Sequence, residues 1–109
     1  MDKPYIYTIS EITSKIKLIL EGNLHNIWVM GEVSNLVIPA SGHVYLTLKD
    51  NYSQIRMVLF RNKASLLRFD LQDGLTIIAH GAISVYEKRG EYQLIADHLE
   101  PAGYGELYL

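Results

Sequence analysis

The sequence predicts one all-β domain with flanking helices, and three observations carry that prediction. A chain of 109 residues is one domain's worth, with a single core to find. After residue 25 the hydrophobic period drops from 3.6 to 2 and holds through five segments. A short apolar stretch of helical spacing interrupts them, after the third. The composition agrees: 49% hydrophobic and 20% charged residues describe a globular chain and exclude disorder and fibre. No apolar run approaches the ~20 residues needed to cross a bilayer, and no cleavable leader is expected before the first helix. With no cysteine, a disulfide framework, a thiolate metal site and a cysteine nucleophile are all excluded. A cytoplasmic protein without a cofactor is the expectation.

The first element is a helix within residues 1–24, expected to pack on the barrel that follows. Thr8 and Glu11 have the spacing of a capping box, with Tyr7 and Ile12 placed as a hydrophobic staple. Ile9, Ile12, Ile16, Ile19 and Leu20 then recur every three or four residues as one apolar face, read as the packing face. Gly22 stands where a left-handed stop is expected. Residues 25–102 hold the strands. Ile27 to Ile38 reads as the first, with Gly31 the bend where a barrel strand curls. His43 to Lys49 alternates cleanly: Val44, Leu46 and Leu48 face one side and His43, Tyr45, Thr47 and Lys49 the other. Asp50 to Ser53 connects to a third strand, Gln54 to Phe60. Asn62 is a candidate cap for a short helix from Lys63 to Arg68, with Leu66, Leu67 and Phe69 as its apolar underside. Asp73-Gly74 turns into a fourth strand, Leu75 to Tyr86, and Glu87 to Gly90 into a fifth, Glu91 to Leu99. Residues 103–109 read as the start of a following segment cut short.

Five strands with a helix between the third and fourth is the plan of the OB-fold, a partly open Greek-key barrel whose helix plugs one end. A plain meander gives no reason for a helix at that point. The charge is uneven. Between His43 and Phe69, Lys49, Arg56, Arg61, Lys63 and Arg68 face the single acid Asp50, a local +4 in a chain of net charge −2. A net negative chain is unusual for a nucleic-acid binder, so any such role rests on that segment.

Three motifs then coincide. Trp28-Val29-Met30-Gly31-Glu32-Val33-Ser34-Asn35, Ser41-Gly42-His43-Val44-Tyr45-Leu46-Thr47-Leu48-Lys49-Asp50 and Arg89-Gly90-Glu91-Tyr92-Gln93-Leu94 together resemble the N-terminal domain of the exodeoxyribonuclease VII large subunit. Gln54 to Arg61 and Glu100 to Leu109 extend the resemblance over nearly the whole chain. It implies a DNA-binding domain of a longer subunit. That subunit family degrades single-stranded DNA from both ends without needing a divalent metal, in DNA repair, and assembles with a small subunit through regions not present in these 109 residues. No membrane partner is implied.

A single-strand-binding barrel needs aromatic faces for bases, cations along the phosphates and short polar groups at the edge. On the second strand Tyr45 is the leading stacking platform, flanked by His43 and Thr47, with Lys49 a phosphate contact. Arg56 sits among apolar neighbours, an odd place for a guanidinium unless that face meets a ligand. Arg61 and Lys63 would extend the basic track, and Lys88 and Arg89 occupy the hairpin with which OB-folds grip oligonucleotides. Asn35 and Ser41 offer hydrogen bonds that loop structure explains equally well. Trp28 reads as core or partner surface before it reads as a base platform.

Catalysis has no support in this stretch. The four histidines follow no metal-ligand spacing, and adjacent Asp97 and His98 point to opposite faces of a strand. There is no G-x-S-x-G elbow, Walker loop or G-x-G-x-x-G. The chain therefore reads as a non-catalytic binding module. A tRNA anticodon-type barrel and a barrel used for protein contacts are the competing readings.

Overall fold

The computed structural model describes residues 2–102, so the expected start of a further segment at 103–109 lies outside them. Helix α1 (Ile9–Asn23) leads into strands β1 (Ile27–Val37), β2 (Val44–Lys49) and β3 (Gln54–Leu59), a short helix α2 (Arg61–Ala64), and strands β4 (Thr76–Tyr86) and β5 (Glu91–Pro101). The strands form a closed barrel in the order β1-β2-β3-β5-β4. Every neighbouring pair is antiparallel except β3 and β5, whose parallel pairing from Arg56↔Gln93 to Leu59↔Ala96 closes what the sequence left partly open.

The alternation read along β2 holds. Val44, Leu46 and Leu48 point inward and are buried, and the ladder carries the inward row across the barrel as Leu46↔Met57↔Leu94↔Ile83. All four side chains lie in the core. The next row, Ser34↔Thr47↔Arg56↔Gln93↔Ser84, points outward and is polar throughout. One residue of slip would exchange the two rows, so this register decides which side chains a ligand meets. Gly31 marks where β1 leaves β4 for β2: Gly31 pairs with Ile77, and Glu32 pairs with both Thr76 and Lys49. At Gly81 β5 passes so close that an added Cβ would sit 2.2 Å from the Ile95 carbonyl oxygen. Only glycine fits there, and the β4–β5 register shifts at the same place.

Both helices differ from expectation. The capping box forms: the Glu11 amide donates to Thr8 Oγ1 and the Thr8 amide to Glu11 Oε1. Gly22, however, stays inside a helix that runs to Asn23 with Leu24 as its C-cap, and the chain turns through Asn26 at φ 53°. Only part of the expected apolar face packs: Ile12 is half-buried and Leu20 joins the core, while the remaining isoleucines do not. Ile9 is 81% exposed, and Ile16 and Ile19 also face solvent. The helix rests on β4 through its C-terminal turns, where Leu20 reaches the core and Glu21 accepts the Val85 amide at 3.0 Å. Lys17 bridges Glu21 and Glu87. Polar anchors thus set the helix's rotation.

α2 begins earlier than Asn62 allows and spans only Arg61–Ala64. Its first amide, from Arg61, donates to His43 Nδ1 at 2.9 Å, so an imidazole meets a helix-end donor that the cap residue leaves free. Leu67 and Phe69 pack against the core as expected of a plug, but Leu66 is 68% exposed.

Candidate nucleic-acid interface

The outward polar row opens into a cleft of about 410 Å³ over β2, β3 and the β4–β5 hairpin. Tyr45, Thr47 and Arg56 form its floor, and Tyr86 and Arg89 one wall. The strand pairing puts Thr47 directly beside Arg56. Neighbours on either side cover Thr47, leaving it 9% exposed, while Tyr45 and Arg56 are open to solvent. Tyr86 closes the last pair of the hairpin opposite Glu91, and the Arg89 guanidinium stands 5.9 Å from the centre of its ring. Gly90, at φ 62°, turns the hairpin that holds Arg89 there.

Charge makes the cleft distinctive. Among the described residues no carboxylate lies within 4 Å of the Arg56 or Arg89 guanidinium. An unpaired guanidinium keeps its five donors for a planar or anionic ligand. Two exposed tyrosines beside two such groups give a surface on which a base can stack while its phosphates are met.

Of the nine residues singled out in the sequence, Tyr45, Thr47, Arg56 and Arg89 meet in this cleft. The others lie elsewhere. Lys49 is held 3.6 Å from Glu32 at the far end of β2. His43 packs edge-on against Phe60 and serves the start of α2. The Arg61 methylenes lie against Gly42, whose φ of 86° and missing Cβ let them approach. Lys63 lines a separate groove with Leu66, Phe69 and Glu100. Lys88 is exposed at the hairpin tip.

Four cleft residues with polar groups, Asn35, Tyr86, Glu91 and Gln93, had no place among those nine. Tyr86 closes β4, and its role depends on the β3–β5 contact that brings the hairpin over β3, which no local pattern reports. Gln93 is Arg56's partner across that same contact. Asn35 enters through a bulge in β1, where it takes a φ of 51° and the Leu36 amide donates to Asp73. A single asparagine within a strand pattern is a usable signal for such a bulge, since Asn tolerates the left-handed region.

A second exposed aromatic group lies on β1, β4 and β5. Trp28, 58% exposed, pairs with His80, and His80 with His98, as a row across three strands. The Trp28 ring is 4.7 Å from that of His80 and 6.0 Å from that of His98. His80 lies 2.6 Å from Asp97 and from Asn26, and His98 2.8 Å from Glu100. The neighbours Asp97 and His98 do not point to opposite faces as their adjacency predicted: β5 bulges here, with His80 paired to His98 and Gly81 to Ala96, so both side chains are exposed on the outer side. Asp97 meets the histidine across the ladder, His80, and not its neighbour.

A closed five-stranded barrel with an open aromatic and cationic cleft on β2 and β3 defines an oligonucleotide-binding class of domain. The sequence profile of the OB-fold nucleic acid binding domain family matches residues 7–100, and the chain belongs to that family. It is similar to the exodeoxyribonuclease 7 large subunits of Geobacter sulfurreducens, 52% identical over 104 residues, and of Pseudomonas aeruginosa, 52% identical over 104 residues. These alignments take in 95% of this chain and 23% of each relative, so the chain spans under a quarter of their length. The motif-based resemblance is borne out. Among solved structures the fold is similar to a chain of a replication protein A heterotrimer bound to single-stranded DNA, with a TM-score of 0.58 at 16% identity, covering 74% of this chain and 61% of that one. Asparaginyl-tRNA synthetase from Pyrococcus horikoshii is similar with a TM-score of 0.55 at 17% identity, over 75% of this chain and 21% of that one.

Proposed function

We propose that this domain binds single-stranded DNA in the β2–β3–hairpin cleft and presents it to the catalytic part of an exodeoxyribonuclease VII large subunit. One observation carries the reading: Tyr45, Tyr86, Arg56 and Arg89 share one cleft, and among the described residues both guanidinium groups are free of carboxylates. Bases stack on the tyrosines, the arginines meet phosphate or base, and Thr47 and Gln93 supply short polar contacts. Lys49, Arg61, Lys63, Lys88 and His43 flank this path and touch a strand only where it leaves the cleft. Hydrolysis of the strand to oligonucleotides, assembly with the small subunit and work in the cytoplasm belong to the same reading.

Titration of labelled oligo-dT, oligo-U and a tRNA at low and moderate salt tests it. Oligo-dT is expected to bind most tightly, whereas tRNA-first binding would assign the cleft to anticodon recognition. An absence of all three interactions would leave the Trp28 face and protein contacts as the function. The 109-residue chain is also expected to leave labelled single-stranded DNA intact. Degradation by a preparation freed of contaminating nucleases would overturn its role as a binding module.

A further inference from the structure

The same cleft contains one acidic side chain, Glu91, at the start of β5. It faces Tyr86 across the hairpin's last pair and shares the cleft with Arg56 and Arg89, yet it forms no ion pair with either within 4 Å. A carboxylate along a phosphate path repels the strand it should hold, so its place is on the base side of the ligand. An ionised carboxylate only accepts hydrogen bonds, through two parallel oxygens.

Among the four bases only guanine offers two adjacent donors on its Watson–Crick edge, N1–H and the N2 amino group. Thymine flanks its one N–H with carbonyl oxygens, and cytosine and adenine set their amino group beside an acceptor nitrogen. Guanine's other edge carries O6 and N7, the pair that an arginine fork reads. Tyrosine faces for stacking, a guanidinium for O6 and N7, and a carboxylate for N1 and N2 are together in one cleft.

We propose that Glu91 makes the cleft selective for a guanine base in single-stranded DNA. This deepens the single-strand-binding reading and rests on it. The carboxylate takes both hydrogen bonds from an unpaired guanine stacked on Tyr86 or Tyr45, while Arg89 or Arg56 faces its O6 and N7. A single strand leaves the Watson–Crick edge free for the carboxylate, whereas in a duplex that edge is taken up by the paired base.

The test uses the 109-residue protein and a labelled thymidine oligonucleotide with one central position varied among guanine, hypoxanthine, cytosine and thymine. Hypoxanthine differs from guanine only by lacking the N2 amino group. Loss of a hydrogen bond to a charged acceptor predicts about tenfold tighter binding of the guanine strand than of the hypoxanthine strand. Glu91→Gln, whose amide presents a donor beside its acceptor, should abolish that difference and leave the all-thymine affinity unchanged or higher. Equal binding of guanine and hypoxanthine strands by the unmodified protein would refute guanine selectivity while leaving single-strand binding in place. A preference that survives in Glu91→Gln would refute the role of Glu91. Failure of every strand, all-thymine included, would overturn both readings, and circular dichroism of the variant shows whether it is folded.

Discussion

The barrel exposes two aromatic faces that differ in the company their rings keep. On the cleft, Tyr45 and Tyr86 stand among Arg56 and Arg89, and among the described residues neither guanidinium has a carboxylate within 4 Å. On the opposite run of strands, Trp28 stands among His80 and His98, each held by a carboxylate, Asp97 or Glu100. Tryptophan is the larger platform and the more exposed side chain, so ring area alone would favour its face as the place for a nucleic acid. Polyanions follow the charge. The cleft offers free cations to phosphates, while the acids beside Trp28 repel them. The net charge of −2 is therefore compatible with a nucleic-acid role, because most of the acids lie away from the cleft.

The sharpest way to break this contrast is to remove one ring from each face. Tyr45→Ala is expected to weaken single-stranded DNA binding by about tenfold or more, since a stacked base is worth about 1–3 kcal/mol by alanine substitution. Its salt dependence should not change, because no phosphate contact is lost. Trp28→Ala should change the affinity less than about twofold. Fluorescence anisotropy with labelled oligo-dT measures both. If the tryptophan variant loses as much as the tyrosine variant, the two faces do not differ in the way their charges suggest. Thermal melts complete the comparison: Tyr45 stands in the outward alternation of β2, so a large drop in Tm would show that it holds the fold.

Much of this was legible in the sequence because it is local. The alternation of Val44, Leu46 and Leu48 against Tyr45 and Thr47 needs only a strand of six residues, and it places Tyr45 outside. The capping box at Thr8 and Glu11 lies within one helical turn. What was not legible depends on contacts distant in sequence. The rotation of α1 is set by Glu21 reaching Val85, 64 residues away, so its isoleucines could not be assigned to the barrel from their spacing. The pairing of Lys49 with Glu32 follows from the β1–β2 register. The contact of His43 with the first amide of α2 joins residues 18 apart in sequence. Tyr86 and Gln93 enter the cleft only through the parallel β3–β5 pairing.

Charge gives a second, smaller effect. Each phosphate contact on a single strand contributes ~0.7 to the slope of log affinity against log salt. Arg56 and Arg89 alone imply a slope of roughly 1.4, and Arg56→Ala or Arg89→Ala should each flatten it by up to ~0.7 with a several-fold loss of affinity. Lys63→Ala, on a groove shared with Glu100, should leave it unchanged. A wild-type slope near 3 would mean that the strand runs past the cleft onto Lys49, Arg61 and Lys63. The cationic face would then be the whole basic segment and not two arginines.

The smallest effect concerns the anchor that steadies the cleft's outer wall. Glu21 accepts the Val85 amide and pairs with Lys17, which also reaches Glu87, so the two flank Tyr86 on either side along the chain. The Val85 amide foremost, and Lys17 after it, hold the Glu21 carboxyl below the usual carboxylate range. A carboxyl lowered on folding contributes stability above its unfolded pKa and loses it as pH falls through the folded value. Glu11, lowered first by the Tyr5 phenol and then by the Thr8 amide, and Asp50, lowered by the Tyr52 and Ser53 amides, act in the same direction. The domain should therefore lose stability on acidification, over the pH range just below ordinary carboxylate values. Glu21→Gln keeps the shape but not the charge, so it should lower Tm only slightly near neutral pH and reduce the acid dependence of Tm. Oligo-dT affinity should change less than about twofold, because Tyr86 keeps its place in the β4–β5 ladder. A larger loss of DNA binding from Glu21→Gln than from Arg89→Ala would show that α1 orders the cleft, and that the face facing the DNA includes a helix bound to its back.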